Sequence, residues 1–140
     1  MSDYLEPFPK RKRGDEFGNL AEYRQGKPHR GQDWTVKEGS TIPAITSGRI
    51  HANGWSDGLG WYIVQTTAEG YFVLYAHLQH ASGRSAGTTI IKGQPIGKVG
   101  NTGRYSTGSH LHLSVSKKPN VMTCAYNQLI DPIKLIEGKL

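Results

Sequence analysis

Five side chains in three short runs have the types and spacings that a metal-dependent hydrolytic site needs. They are His29 and Asp33 in His29-Arg30-Gly31-Gln32-Asp33, His77 in Tyr75-Ala76-His77-Leu78, and His110 and His112 in His110-Leu111-His112. Zinc takes neutral imidazole and carboxylate as ligands, and a catalytic zinc keeps three protein ligands and an open position for water. Four of the six histidines fall in these runs. His29 and Asp33 stand four apart, with Gly31 between them relieving side-chain crowding and letting the backbone bend around an ion; alone, that pattern also describes a surface histidine and a turn aspartate. The stretch from His110 to Val115 alternates strictly, so Leu111, Leu113 and Val115 face one side and His110, His112 and Ser114 the other. Two imidazoles on one face of a half-buried strand need polar partners, either a metal or each other. Spacing does not decide whether His110 or His112 is the ligand. His77 ends an apolar strand and gains a role only as the fifth polar group of a site that otherwise has three ligands and one base.

The elements that must position these groups are short strands. Trp61–Thr66 and Tyr71–His77 are the clearest, joined by the hairpin-length loop Thr67-Ala68-Glu69-Gly70. Between Ile42 and Ile50, Pro43 and Gly48 separate brief apolar segments, and Gly87–Gly100 gives two strand segments broken at Gly93-Gln94-Pro95. Gly26-Lys27-Pro28 forms a turn that delivers His29, and Asp131-Pro132 opens a short apolar tail segment that docks. The loop before the histidine pair carries Gly103, Ser106, Thr107 and Gly108, small residues that let a peptide backbone approach or simply make a turn. His51 and His80 fit none of the runs and read as surface residues. With 18 glycines and no long three-to-four apolar repeat, the expected fold class is all-β, an antiparallel β-sheet.

At 140 residues the chain suits one domain. Residues 1–16, with Lys10-Arg11-Lys12-Arg13, read as a polar N-terminal arm that is ordered only if it docks, and 17–140 as the domain proper. The net charge of +6 suits a polyanionic partner such as nucleic acid, an anionic membrane or a bacterial wall, or serves solubility alone. The one cysteine, Cys124, excludes an internal disulfide and a Cys-type zinc site, and reads as a small buried apolar residue. The first residues lack the basic start and apolar core of a secretory signal, and no apolar run approaches the roughly 20 residues of a membrane span.

In order, His-x-Gly-x-Asp (29–33), Tyr-x-His-Leu (75–78), Gly-Gln-x-Ile-Gly (93–97) and Thr-Gly-x-x-Ser-Thr-Gly-x-His-Leu-His (102–112) resemble the lysostaphin/LytM-type zinc endopeptidases that cut peptidoglycan peptides. The resemblance covers about residues 17–136. It implies an antiparallel sheet with a groove floored by metal and walled by loops. It also implies that His29, Asp33 and His112 bind zinc while His77 and His110 are the catalytic pair, with Tyr75 and Tyr105 adding a donor, shaping the groove or merely packing. None of the five positions is substituted. The departures lie at Trp34–Gly39, where relatives often have small residues before a Pro-x-Gly turn, and at Leu113-Ser114, where many have Phe-Glu.

The resulting expectation is a zinc-dependent endopeptidase acting on the cross-bridges or stem peptides of bacterial peptidoglycan. Its partner is then the wall peptide rather than nucleic acid, and the chain is expected to be a monomer. The absent signal suggests a bacteriophage endolysin or virion-associated lysin, made in the host cytoplasm and reaching the wall after release. A non-catalytic wall-binding or regulatory module of the same fold is the alternative. Phosphotransfer through a paired histidine is a weaker one.

Overall fold

The computed structural model describes residues 3–9, 13–20 and 25–140. Among these residues nine strands and one short α-helix follow in chain order, with a 3-10 turn at Tyr126–Gln128: β1 (Gln32–Thr35), β2 (Thr41–Pro43), β3 (Gly48–Ser56), β4 (Gly60–Thr66), β5 (Phe72–Leu78), β6 (Thr89–Ile90), β7 (Pro95–Lys98), β8 (His110–Ser116), β9 (Leu129–Ile130) and α1 (Pro132–Ile136). All strand pairs are antiparallel. The main sheet runs β1-β8-β5-β4-β3-β6, with β9 also on β8, and β2 pairs with β7 in a small second sheet. The expected antiparallel β fold is therefore the one observed, with α1 as its single α-helix among the described residues.

Apolar periodicity explains the sheet's two faces. On one, Val73, Tyr75, Leu111, Leu113 and Val115 join Ile42, Ile96, Leu135 and Ile136 in the larger core. Each such burial is worth roughly 1.5–3 kcal/mol. Tyr75 belongs wholly to this core: its hydroxyl donates to Gln65 Oε1 and accepts from the Ile45 amide at 2.9 Å. It faces away from His110 and His112, so of the roles open to it packing is the one it has. On the opposite face Val64, Leu74 and Ala76 pack with Val121, Cys124 and Leu129 from the segment after β8. This second face carries His112, because Ala76 pairs with His112 and Leu74 with Ser114 across β5 and β8.

The expected hairpin is β4–β5, turned by Thr67–Gly70 with Gly70 at φ 85°. The tail segment forms α1, capped by Asp131, whose side chain accepts from the Ile133 amide at 2.9 Å. Of the N-terminal arm, Lys10–Lys12 lie outside the described residues. Its described part packs on the sheet: Tyr4 is buried, the Leu5 amide donates to Ile45 O, and Arg13 makes a two-pronged ion pair with Glu6, which also accepts from Trp34 Nε1. Arg13 is thus an internal tie of the arm.

Candidate metal centre

Register puts the first donors together. β1 lies antiparallel to β8 with Asp33 opposite His112, so their side chains emerge side by side on the same face. His29, just before β1, is held by two backbone bonds, its amide to Asn19 O (2.9 Å) and its carbonyl to the Gly18 amide (2.8 Å). Gly31 is required between them: a Cβ there would stand 2.2 Å from Leu113 O and 2.8 Å from Ser114 Oγ. The close approach of two backbones, rather than a bend around an ion, is what excludes a larger residue.

Three atoms converge. His112 Nδ1 lies 3.0 Å from Asp33 Oδ1, His29 Nε2 lies 3.2 Å from His112 Nδ1, and His29 Nε2 lies 3.5 Å from Asp33 Oδ1. Among the described residues these three side chains form the group positioned to hold a metal ion. Four-coordinate zinc with nitrogen and oxygen ligands at about 2.0–2.1 Å sets neighbouring donors about 3.3 Å apart. The observed spacings bracket that value.

Proton accounting gives the same answer. The outer nitrogen of His29, Nδ1, faces Glu16 O at 3.1 Å, an acceptor only, so Nδ1 carries a hydrogen and Nε2 a lone pair. Ser114 Oγ donates its hydrogen to Arg30 O at 3.1 Å and must therefore accept from His112 Nε2 at 2.7 Å, which leaves Nδ1 bare. Two lone pairs and a carboxylate oxygen thus face one another with no proton among them, and only a cation or an added proton relieves that. Burial pushes the Asp33 carboxyl pKa up, but hydrogen bonding to His112 and the attraction of the His112, His29 and His110 rings for the carboxylate, felt whenever the metal-free cluster takes up that added proton, outweigh it and hold the carboxyl below the usual carboxylate range. Asp33 is an anion at neutral pH.

The other two histidines flank this cluster. His110 opens β8, with Nδ1 2.7 Å from Gly108 O and Nε2 3.8 Å from Asp33 Oδ2. His77 reaches the same face by a backbone irregularity. Strict alternation along β5 would send it into the core behind Val73 and Tyr75. A bulge between the pairs Trp61–Leu78 and Ile63–Tyr75, with His77 at φ 61°, resets the alternation, so Leu78 enters the core instead. Left-handed backbone at a residue with a Cβ costs about 1–2 kcal/mol. The His77 ring then stands 4.7 Å from that of His110 and 6.1 Å from that of His112, with Nδ1 2.7 Å from Thr102 O and Nε2 left free. Burial pushes its pKa down to about 4, the Thr102 carbonyl opposing, so the ring is neutral at physiological pH.

All five residues singled out by type and spacing therefore come together. His51 and His80 are exposed and lie apart from them, and Tyr105 is exposed on the loop before β8. Composition and spacing did not single out Ser114 or the Glu16 carbonyl, the groups that fix the inner nitrogens. Ser114 shares the alternation of the two histidines, which is the signal that could have found it.

A family model described as Peptidase family M23 matches residues 27–130. The chain belongs to peptidase family M23. Among the M23 relatives, the peptidoglycan DD-endopeptidase ShyC of Vibrio cholerae is 35% identical over 88 residues, covering 63% of this chain and 20% of that protein. Endolysin 2638A of Staphylococcus phage 2638A is 31% identical over 96 residues, 67% of this chain and 20% of that protein. The solved catalytic domain of lysostaphin from Staphylococcus simulans matches with a TM-score of 0.78 at 31% identity, over 91% of this chain and 92% of that one. The chain spans about a fifth of the length of the curated relatives it matches. M23 metallopeptidases are zinc-dependent, and the donor set formed by His29, Asp33 and His112 fits that metal.

Proposed function

We propose that this chain is a zinc-dependent endopeptidase that hydrolyses peptide bonds in bacterial peptidoglycan, in a cross-bridge or stem peptide. The observation that carries the reading is the convergence of His29 Nε2, Asp33 Oδ1 and His112 Nδ1 at 3.0–3.5 Å, with His77 and His110 alongside. In this reading His29, Asp33 and His112 hold the metal, and His77 and His110 are the catalytic pair. Zinc held there supplies Lewis acidity, polarising a peptide carbonyl and acidifying water.

The chain's own groups do the rest. Asp33 contributes the one negative charge among the three donors, and the outer partners of His29 and His112 keep both inner nitrogens bare. His77 and His110 each donate Nδ1–H to a backbone carbonyl and so present a lone pair at Nε2. As the oxygen of water bonds to the scissile carbonyl carbon, its proton moves to one of these Nε2 atoms. That proton passes to the leaving amine as the carbon–nitrogen bond breaks, and the protonated ring meanwhile donates to the developing oxyanion.

Relatives named as an endolysin and as a peptidoglycan endopeptidase support the wall peptide as substrate. The phage relative also supports a lysin made in the host cytoplasm and released onto the wall, while bacterial proteins such as lysostaphin are also among the relatives. A monomer acting on the wall peptide, with no nucleic acid involved, completes the proposal. No helix among the described residues is long and apolar enough to cross a membrane. Purified wall incubated with the protein tests the activity. New amino groups that appear with zinc and cease with a chelator support the endopeptidase, and wall binding without new amino groups supports the non-catalytic module.

A further inference from the structure

The bulge that turns His77 toward the metal centre leaves a defect in the sheet, and one side chain fills it. Where β4 and β5 resume pairing beyond the bulge, Trp61 stands opposite Leu78. The Trp61 amide donates to Thr102 Oγ1 at 3.2 Å, and Thr102 Oγ1 donates to Leu78 O at 2.6 Å. The hydroxyl is thus threaded between a donor of β4 and an acceptor of β5. The same residue's carbonyl accepts Nδ1–H of His77 at 2.7 Å, and the His77 amide is tied to Leu59 O at 2.8 Å. Thr102 is itself wedged in place: a Cβ on Gly60 would lie 2.2 Å from Thr102 Oγ1, and one on Gly103 would lie 2.3 Å from the Gly60 amide nitrogen.

We infer that Thr102 is a positioning residue for His77: its hydroxyl clips the bulged strand pair while its carbonyl fixes the ring. This rests on the reading of His77 as a member of the catalytic pair. A left-handed residue with a Cβ persists only where its surroundings over-determine it, and Thr102 takes part in three of the four hydrogen bonds that do so here. Without the hydroxyl, the Trp61 amide and the Leu78 carbonyl lose their shared partner and the bulge is free to relax toward regular pairing. That relaxation would swing His77 off the site face while leaving the β1–β8 metal donors in place. The consequence falls on turnover rather than on metal or substrate binding.

The test is a kinetic cycle on the full chain with a wall-derived peptide as substrate, with zinc content measured for every variant. Thr102→Val, which keeps the shape and removes the hydroxyl, is expected to lower kcat about tenfold to a hundredfold with KM and zinc content unchanged. Thr102→Ser should retain kcat within about twofold, since the hydroxyl alone carries the clip. In a His77→Ala background Thr102→Val should cost nothing further, because the residue it positions is gone. A loss on Thr102→Ser equal to that of Thr102→Val, an unchanged kcat in Thr102→Val, or full additivity with His77→Ala would each overturn the inference. Full activity in His77→Ala alone would instead overturn the catalytic reading of His77. If Thr102→Val does not fold, Thr102→Ser still decides, retained turnover supporting the clip and lost turnover contradicting it.

Discussion

The β1–β8 ladder and the β5 bulge bring histidines to the same face by opposite means. On the ladder, ordinary antiparallel register sets Asp33 beside His112, and period-two alternation sets His110 and His112 on one side, at no backbone cost. At the bulge, His77 reaches the site only because its backbone adopts φ 61° and the pairing slips by one residue. Of the groups proposed to hold the metal, Asp33 and His112 stand on regular structure; of the proposed catalytic pair, His110 shares that ladder, whereas His77 is held by irregular structure and by neighbours that enforce it. Substitutions at Asp33 or His112 and at His77 should therefore fail differently.

The largest effect is expected on the ladder. Asp33→Ala or His112→Ala should lose zinc and with it activity, by at least about a thousandfold, measured by metal content and release of amino groups. A variant that loses activity but retains stoichiometric zinc would break the division at its base. Next, His77→Ala should retain zinc while kcat falls about 10²–10⁴-fold. Third, Ser114→Ala removes the acceptor for His112 Nε2–H and should weaken zinc affinity about 10–100-fold, as read by competition with a chelator. Equal affinity would mean that the hydroxyl does not hold the ring.

The smallest effect is on the stability of the metal-free protein. The pKa of His77 is about 4 in the fold, below its ordinary value of 6.5, so the unfolded chain binds the proton more tightly and folding stability rises with pH. The contribution is complete above pH 6.5 and is lost as pH falls toward 4. Between pH 7 and pH 6 it amounts to roughly 0.7 kcal/mol from this residue. Denaturant melts of the metal-free protein and its His77→Gln variant at the two pH values should differ by that amount, and identical pH slopes would show that the buried ring does not titrate as described.

The same contrast explains how far the sequence could be read. The hairpin β4–β5 and the histidine pair of β8 announce themselves because their apolar residues keep a strict period. The nine residues of β3 do not, since Gly48, His51, Asn53 and Gly54 interrupt any pattern and the strand is only partly buried. The segment reads as brief pieces although it is the longest strand. The choice of His112 over His110 beside Asp33 depends on which strand pairs with which, information that resides in β1–β8 contacts 79 residues apart in sequence. For His77, its position behind Val73 and Tyr75 points to the core, and only the reversed φ contradicts that. Tyr75 shows the converse: a polar handle within a suggestive run that serves the core through Gln65 and Ile45. Backbone carbonyls such as Glu16 O and Thr102 O carry no side-chain signature at all.

The proposed chemistry depends on one ion held by His29, Asp33 and His112. X-ray absorption at the zinc edge, recorded on the reconstituted protein and on Asp33→Ala, tests this most directly. One zinc per chain with nitrogen and oxygen neighbours at about 2.0–2.1 Å in the parent, and loss of bound metal in the variant, is the result predicted. A parent that binds no zinc, or a variant whose zinc keeps its full occupancy and an unaltered spectrum, would contradict it.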